Sequence, residues 1–460
     1  MKVDYLGNLE NYKEDLIKTI QESIRINSVE AEAVGNMPFG VGPYKALEHI
    51  LDLGARMGFR TKNLDGYAGY IEFGQGEETL GILGHVDVVP EGEGWTRQAF
   101  GGEISHGKIY GRGAVDDKGP TIAALYGMKA IKDSGLALGK KVRMIIGANE
   151  ETNWKCMDYY FKHEEAPDLA FTPDANFPVI YAEKGSMNIN IDYRLEDPIL
   201  LGLSAGVAAN VVPEKARIEL GLEDMEEASQ ALEAYRDQYD FSLKKLESGI
   251  ELEARGASAH GSTPYLGRSA LDILMKLVSE LDLGQGDLRK FVDLYNERIG
   301  FSHYGEKIGC AMEDDIVGRL TFNPGLISYR EGLIRLVVDI RYPVRNTSEE
   351  VLEKIAENLE GQGVDLGLAG HSMKPLYVDK DSFLVRKLME VYRAETGEKD
   401  AEPTTIGGAT YARVMKNAVA FGPMFDGMKD VAHQKDEYIE IDHLMKILRI
   451  YTRAIYELAK

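Results

Sequence analysis

Short apolar runs alternate with helix-patterned segments through the first third of the chain, and this alternation limits the fold more than any other feature. "YAGYIEF", "TLGILGHV" and "KKVRMIIGANEE" read as strands, and "KIYGRG" as a shorter one. "GPYKALEHILDLGARMGF", "DKGPTIAALYGMKAIKDSG" and "TNWKCMDYYFKH" read as helices among them. A further amphipathic helix is expected over residues 8–26, with Leu9, Tyr12, Leu16, Ile20 and Ile24 on one face. Strands that take turns with helices predict an α/β fold around a mostly parallel sheet. In such sheets ligands gather beyond the carboxyl ends of the strands.

The pattern breaks near residue 185. "KGSMNINIDYRL", "ARIELGLED", "GIELEARGAS", "RLTFNPGLISYR" and "GLIRLVVDIRYP" alternate apolar and polar residues, as half-exposed antiparallel strands do. Helical stretches such as "SALDILMKLVSELDL" and "SEEVLEKIAENLEGQG" fall between them. The α/β style returns near 376 and closes on the long helix "IEIDHLMKILRIYTRAIYELAK". We therefore expect an α/β domain made of residues 1–184 and 376–460, interrupted by an α+β insertion over 185–375.

At 460 residues the chain exceeds one ordinary core, which suits this division. A net charge of −22 argues against nucleic acid as a partner, because its phosphates would be repelled. No apolar run approaches the roughly 18 residues of a membrane helix. The N-terminal stretch lacks the basic-then-apolar layout of a signal peptide. A cytoplasmic protein without membrane contact is the expectation. Cys156 and Cys310 make neither a disulfide framework nor a metal knuckle, so any metal falls to histidines and carboxylates.

Five segments place such residues where strands end. "GHVDVVPEGEGW" holds His85 and Asp87, and "GRGAVDDKGP" holds Asp116 and Asp117. "GANEETNW" holds Glu150 and Glu151, "FTPDANFP" holds Asp174, and "DVAHQKDEYIE" holds His433. Each alone is an ordinary polar loop. Together they offer nitrogen and oxygen ligands of the kind zinc accepts, and mixed sets with a shared carboxylate suit two-metal hydrolases.

In their order and local context these stretches resemble the M20 family of metallopeptidases, and within it the PepV-type bacterial dipeptidases. The likeness runs over essentially the whole chain. It implies an α/β catalytic domain and a lid formed by the insertion, itself of two α+β subdomains. It implies two divalent ions, zinc first, with manganese or cobalt as alternatives. His85 and His433 would each ligate one ion, Asp116 would bridge both, and Glu151 and Asp174 would complete the two sites. Asp87 would orient the His85 imidazole from behind the metal. Glu150 would be the general base, acting on a metal-bridging water, and Asp117 would stay out of the coordination.

The same resemblance assigns residues of the insertion. His260, in "GASAHGSTPYLGRSA", would stabilise the oxyanion. Asn210 in "AANVVPEKA" and Arg341 in "DIRYPV" would hold the substrate carboxylate, with backbone amides at Gly407 and Gly408 in "TIGGATYAR". Arginine suits a planar, bidentate grip on a carboxylate. Shorter members of the family share a histidine between subunits, whereas the longer subfamily carries a second half in its insertion. A monomer follows, cleaving unmodified dipeptides with a free amine and a free carboxylate. The competing readings are an N-acyl amino acid deacylase, of the acetylornithine or succinyl-diaminopimelate type, and a non-catalytic peptide-binding protein. The remaining histidines, His49, His106, His163, His303, His371 and His443, have no such setting and are given surface or core roles.

Overall fold

The computed structural model describes residues 5–195, 197–370 and 372–460; His371 lies outside them. The chain divides into two units. The first comprises Met1–Tyr181, Tyr377–Thr404 and Thr410–Lys460, and the second comprises Ala182–Leu376 and Thr405–Ala409. The insertion limits read from the sequence thus differ from this division mainly in the short return segment 405–409.

In the first unit a mixed sheet runs in the order Arg60–Leu64, Ala68–Phe73, Lys141–Gly147, Thr79–His85, Leu169–Thr172, Ala418–Ala420. The outer pairings next to Ala68–Phe73 are antiparallel. The four strands from Lys141–Gly147 onward pair parallel. All seven residues of Thr79–His85 are buried, as befits the centre of a sheet covered on both faces.

Helices Lys118–Asp133 and Ile441–Ala459 pack against each other. The second helix buries Leu444, Ile447, Leu448, Tyr451, Ile455 and Leu458, spaced three and four apart so that they share one face. The two backbones meet closely at Gly127. A Cβ there would lie 3.0 Å from Thr452 Oγ1 and 3.3 Å from Thr452 Cα. Helix Lys118–Asp133 is buried along nearly its whole length, which explains its run of small and apolar residues, "GPTIAAL".

The second unit holds eight strands in one continuous sheet. Their order is Asp240–Leu246, Gly249–Arg255, Lys215–Leu220, Leu200–Ala205, Thr321–Arg330, Leu333–Tyr342, Gly185–Arg194, Val364–Leu368. Every neighbouring pair is antiparallel. Met187, Ile189, Ile191 and Tyr193 alternate into its core. Helix Ala270–Val278 covers the strands Gly249–Arg255 and Lys215–Leu220. Helix Ser348–Leu359 begins in a capping box between Thr347 and Glu350 and packs on Gly185–Arg194.

Candidate metal centre

Sheet register brings the strand-end residues together. His85 pairs with Gly147 across parallel strands, so the loop holding Glu150 and Glu151 starts beside His85. Val86 N–H then donates to Gly147 O at 3.1 Å. Asp174 follows Thr172, the last residue of the strand on the other side. Asp116 comes from the loop before helix Lys118–Asp133, and its peptide bond to Asp117 is cis.

Two groups result, His85–Asp116–Asp174 and Asp116–Glu151–His433, with ligand atoms in each within 4.8 Å of one another. Asp116 belongs to both. Its Oδ1 lies 3.2 Å from His85 Nε2, and its Oδ2 lies 2.9 Å from His433 Nε2. Asp174 Oδ2 is 3.6 Å from His85 Nε2, and Glu151 Oε2 is 3.1 Å from His433 Nε2. All five candidate ligands are therefore in one place. Glu150 sits beside them without joining either group.

Electrostatics follow from this crowding. Burial opposes charge on His85, yet its hydrogen bonds with Asp116, Asp174 and Asp87 hold the imidazole well above its ordinary range. Burial likewise opposes charge on His433, and its bonds with Asp116 and Glu151 raise it to about 11. Burial raises Asp116, but the two histidines outweigh it and keep the carboxylate ionised far into acid. Burial and the charge of Asp116 push Glu151 up to about 7. Glu151 Oε1 is buried with no hydrogen-bond partner among the described residues. A cation among these donors would satisfy it, and nitrogen with carboxylate oxygen is a donor set for divalent ions.

Asp87 and Asp117 support the candidate ligands in different ways. His85 Nδ1 lies 3.0 Å from the backbone carbonyl of Asp87 and 3.6 Å from its carboxylate. The nearest partner orienting the ring is thus a carbonyl. The Asp87 carboxylate instead accepts from Glu151 N–H at 3.0 Å, linking the loops of both histidine sets. Asp117 stays outside, accepting from Thr121 Oγ1 at 2.6 Å and from His85 N–H at 3.3 Å.

Three supporting side chains stand within the quoted motifs without a role that the motifs alone reveal. Arg112 and Glu437 form a buried ion pair at 2.8 Å. Lys118 is fully buried and donates to the carbonyls of Ser23 and Ile26. A basic residue next to an acidic pair, at the start of an apolar helix, is the only hint the sequence offers for it.

A model of Peptidase family M20/M25/M40 matches residues 81–457. A protein of Bacillus subtilis (strain 168), "Putative dipeptidase YtjP", is 43% identical over 462 residues, covering 97% of this chain and 98% of that one. The chain belongs to the M20 peptidase family. A second M20 relative, "Putative dipeptidase SH1171" of Staphylococcus haemolyticus, is 38% identical over 98% of both chains. Among solved structures, human carnosine dipeptidase 1 aligns over 99% of this chain and 98% of its own, with a TM-score of 0.58 and 15% identity. The di-peptidase Dug1p of Saccharomyces cerevisiae aligns over the same shares, with a TM-score of 0.58 and 14% identity. At such identities the likeness is one of fold. As an M20 chain the protein is a hydrolase of a metal-using peptidase family. No helix among the described residues is long and apolar enough to cross a membrane.

The remaining candidates of this M20 chain lie in the second unit and form a connected set there. Gly261 N–H donates to Asn210 O at 2.6 Å, and Val211 bridges to His260. His260 Nδ1 lies 2.7 Å from Ser262 Oγ and accepts from Ser262 N–H at 3.1 Å. Ser262 abuts the return segment: a Cβ on Gly407 would lie 2.7 Å from Ser262 Cβ. Gly407 O accepts from Arg341 Nη1 at 3.4 Å. Arg341 is buried and already forked onto Asp339, at 2.8 and 2.7 Å. Gly408 follows in the same segment. Of the other histidines, His443 is buried and bonds Pro423 O at 2.9 Å, a packing role.

Proposed function

We propose that the protein is a dinuclear-metal dipeptidase that cleaves unmodified dipeptides. The observation that carries this reading is the division of Asp116 between two ligand sets, each with its own histidine. The relatives named as dipeptidases, at 38–43% identity over nearly the full chain, supply the substrate class. Zinc is the proposed metal, with manganese or cobalt as substitutes. His85 and Asp174 would hold one ion, Glu151 and His433 the other, and Asp116 both. When bound, such a pair of ions polarises a carbonyl and acidifies water.

The chain's own residues do the rest. Glu150 is raised well above its ordinary range by burial, against the pull of His85 and with the help of Asp174, Glu151 and Asp87. A carboxylate with that proton affinity takes a proton from water and returns it to the leaving amine. Asp87 holds the Glu151 loop and, through its carbonyl, the His85 ring. His260 acts as donor to the developing oxyanion. Asn210, Arg341 and the amides of Gly407 and Gly408 receive the substrate carboxylate. The second unit serves as a lid, and the enzyme works as a monomer with His260 acting in its own chain.

The decisive experiment compares hydrolysis of a plain dipeptide with that of its N-acetyl analogue. It uses chelator-stripped protein before and after zinc or manganese is restored. Metal-dependent cleavage of the free dipeptide alone supports the reading. Cleavage of the acetylated form alone makes the protein a deacylase, and silence on both with metal bound brings back the binding-protein reading or points to another substrate.

A further inference from the structure

The two histidines of the candidate centre are held in different ways. His85 ends a buried central strand, and its side chain has no exposed surface. His433 sits on a loop, with a left-handed backbone at φ 61° and half of its side chain exposed. Packing therefore fixes His85 but leaves His433 dependent on whatever anchors its loop.

That anchor is Arg112. Its Nη1 donates to Glu437 Oε2 at 2.8 Å and to Gln434 O at 3.3 Å. Its Nη2 reaches His433 O at 3.4 Å, and Pro90 O and Glu91 O at 3.3 Å each. Trp95 lies against the guanidinium, 5.3 Å from ring centroid to Cζ. Glu437 completes the link on its other oxygen. Oε1 accepts from Val115 N–H at 2.9 Å and from Asp116 N–H at 3.3 Å. Tyr438–Glu440 then pairs with Lys108–Tyr110, bringing Glu437 and Arg112 to the same end of a small sheet. One guanidinium and one carboxylate thus tie the loops of His433, Asp116 and Pro90–Glu91 together.

Taking both charges out of water is costly, and an apolar pair of similar volume would often serve stability as well. What an apolar pair cannot do is bind four carbonyls and two amides in fixed directions. We propose that Arg112 and Glu437 are positioning residues that build the His433 side of the metal centre, while the His85 side depends on them only through Asp116. This rests on the reading of Asp116, Glu151 and His433 as ligands.

The test is a calorimetric titration of chelator-stripped protein with zinc, run on the unmodified chain, Arg112→Lys and Glu437→Gln. Melting of each metal-free protein and the visible spectrum of each cobalt-loaded protein are recorded alongside. We expect two ions on the unmodified chain. On the variants we expect one ion to be weakened only slightly and a second to be weakened about 10–100-fold, the range for residues that orient ligands. The cobalt spectrum should lose intensity for one site, and metal-free melting should stay close to that of the unmodified chain. Equal weakening of both ions, or unchanged binding, overturns the proposal. So does collapse of metal-free melting in both variants, which would make the pair a folding element. No ion on the unmodified chain would overturn the ligand reading itself, and the positioning role with it.

Discussion

Oδ2 of Asp116 lies 2.9 Å from Nε2 of His433, close enough for the two side chains to share a proton that a cation must displace. His433 is raised to about 11, so this contact supports folding fully below the ordinary histidine range of about 6.5. The support is lost as pH climbs through the raised value. Glu151, raised to about 7, acts in the same direction from about 4.5 upward, because the folded state favours its protonated form. Metal-free protein should therefore melt at lower temperature at about pH 9 than at about pH 7. Zinc affinity should move the other way, since ligands must shed protons to bind. Paired melting and titration series check this; slopes of the same sign would contradict it.

Glu150→Gln should separate chemistry from binding. The glutamine cannot take a proton, so kcat should fall about 10²–10⁴-fold, the usual worth of a positioned base. Both ions should stay bound, because Glu150 belongs to neither ligand group. Glu151→Gln should instead lose metal. Metal content after dialysis, beside kcat, distinguishes the two.

If His260 is the oxyanion donor proposed above, His260→Ala should lower kcat by about 10²–10³, the typical loss for one such donor. Mixing this variant with Glu150→Ala should restore nothing if each chain uses its own histidine. Recovered activity in the mixture would show exchange between chains.

Stripping the metal should lower the melting temperature. An ion bound only by the folded state contributes about 2.7 kcal/mol when present at about 100 times its dissociation constant. A chelator titration followed by zinc addition measures the effect, and an unchanged melting temperature would speak against a metal-supported centre.

Gly84→Ala should reach the centre from below. A Cβ there would run into Thr121 Oγ1, the hydroxyl that holds Asp117 against the His85 amide. Overpacking of this kind costs about 1–3 kcal/mol. Weaker metal binding should accompany the lower stability, and stability falling alone would uncouple Thr121 from His85.

The strand and helix pattern of the first unit was legible because its periodicities are local: seven buried residues end at His85, and an amphipathic stretch gives Ile441–Ala459. The candidate ligands could be nominated because each stands within a few residues of a strand or helix end. The resemblance separated Glu151 from Glu150; nothing in two adjacent glutamates does so. Arg112 and Glu437 were not legible. They are 325 positions apart, and each alone is an ordinary charged residue. The carbonyl that orients His85 was equally hidden, since a backbone group carries no sequence signal. The continuous eight-stranded sheet was not legible either, because it depends on the antiparallel pairing of Leu200–Ala205 with Thr321–Arg330, segments far apart in the chain.

The short return of residues 405–409 to the second unit bears on how this chain can be dissected. A gene fragment encoding 182–376 is contiguous and looks like a natural excision. It leaves behind Gly407, the carbonyl partner of Arg341 and the close neighbour of Ser262 beside His260. The excised piece would carry its histidine and arginine with one wall of their surroundings removed. A faithful isolated version has to graft the 405–409 loop back, so the boundary of this unit is a property of the fold and not of any single stretch of coding sequence.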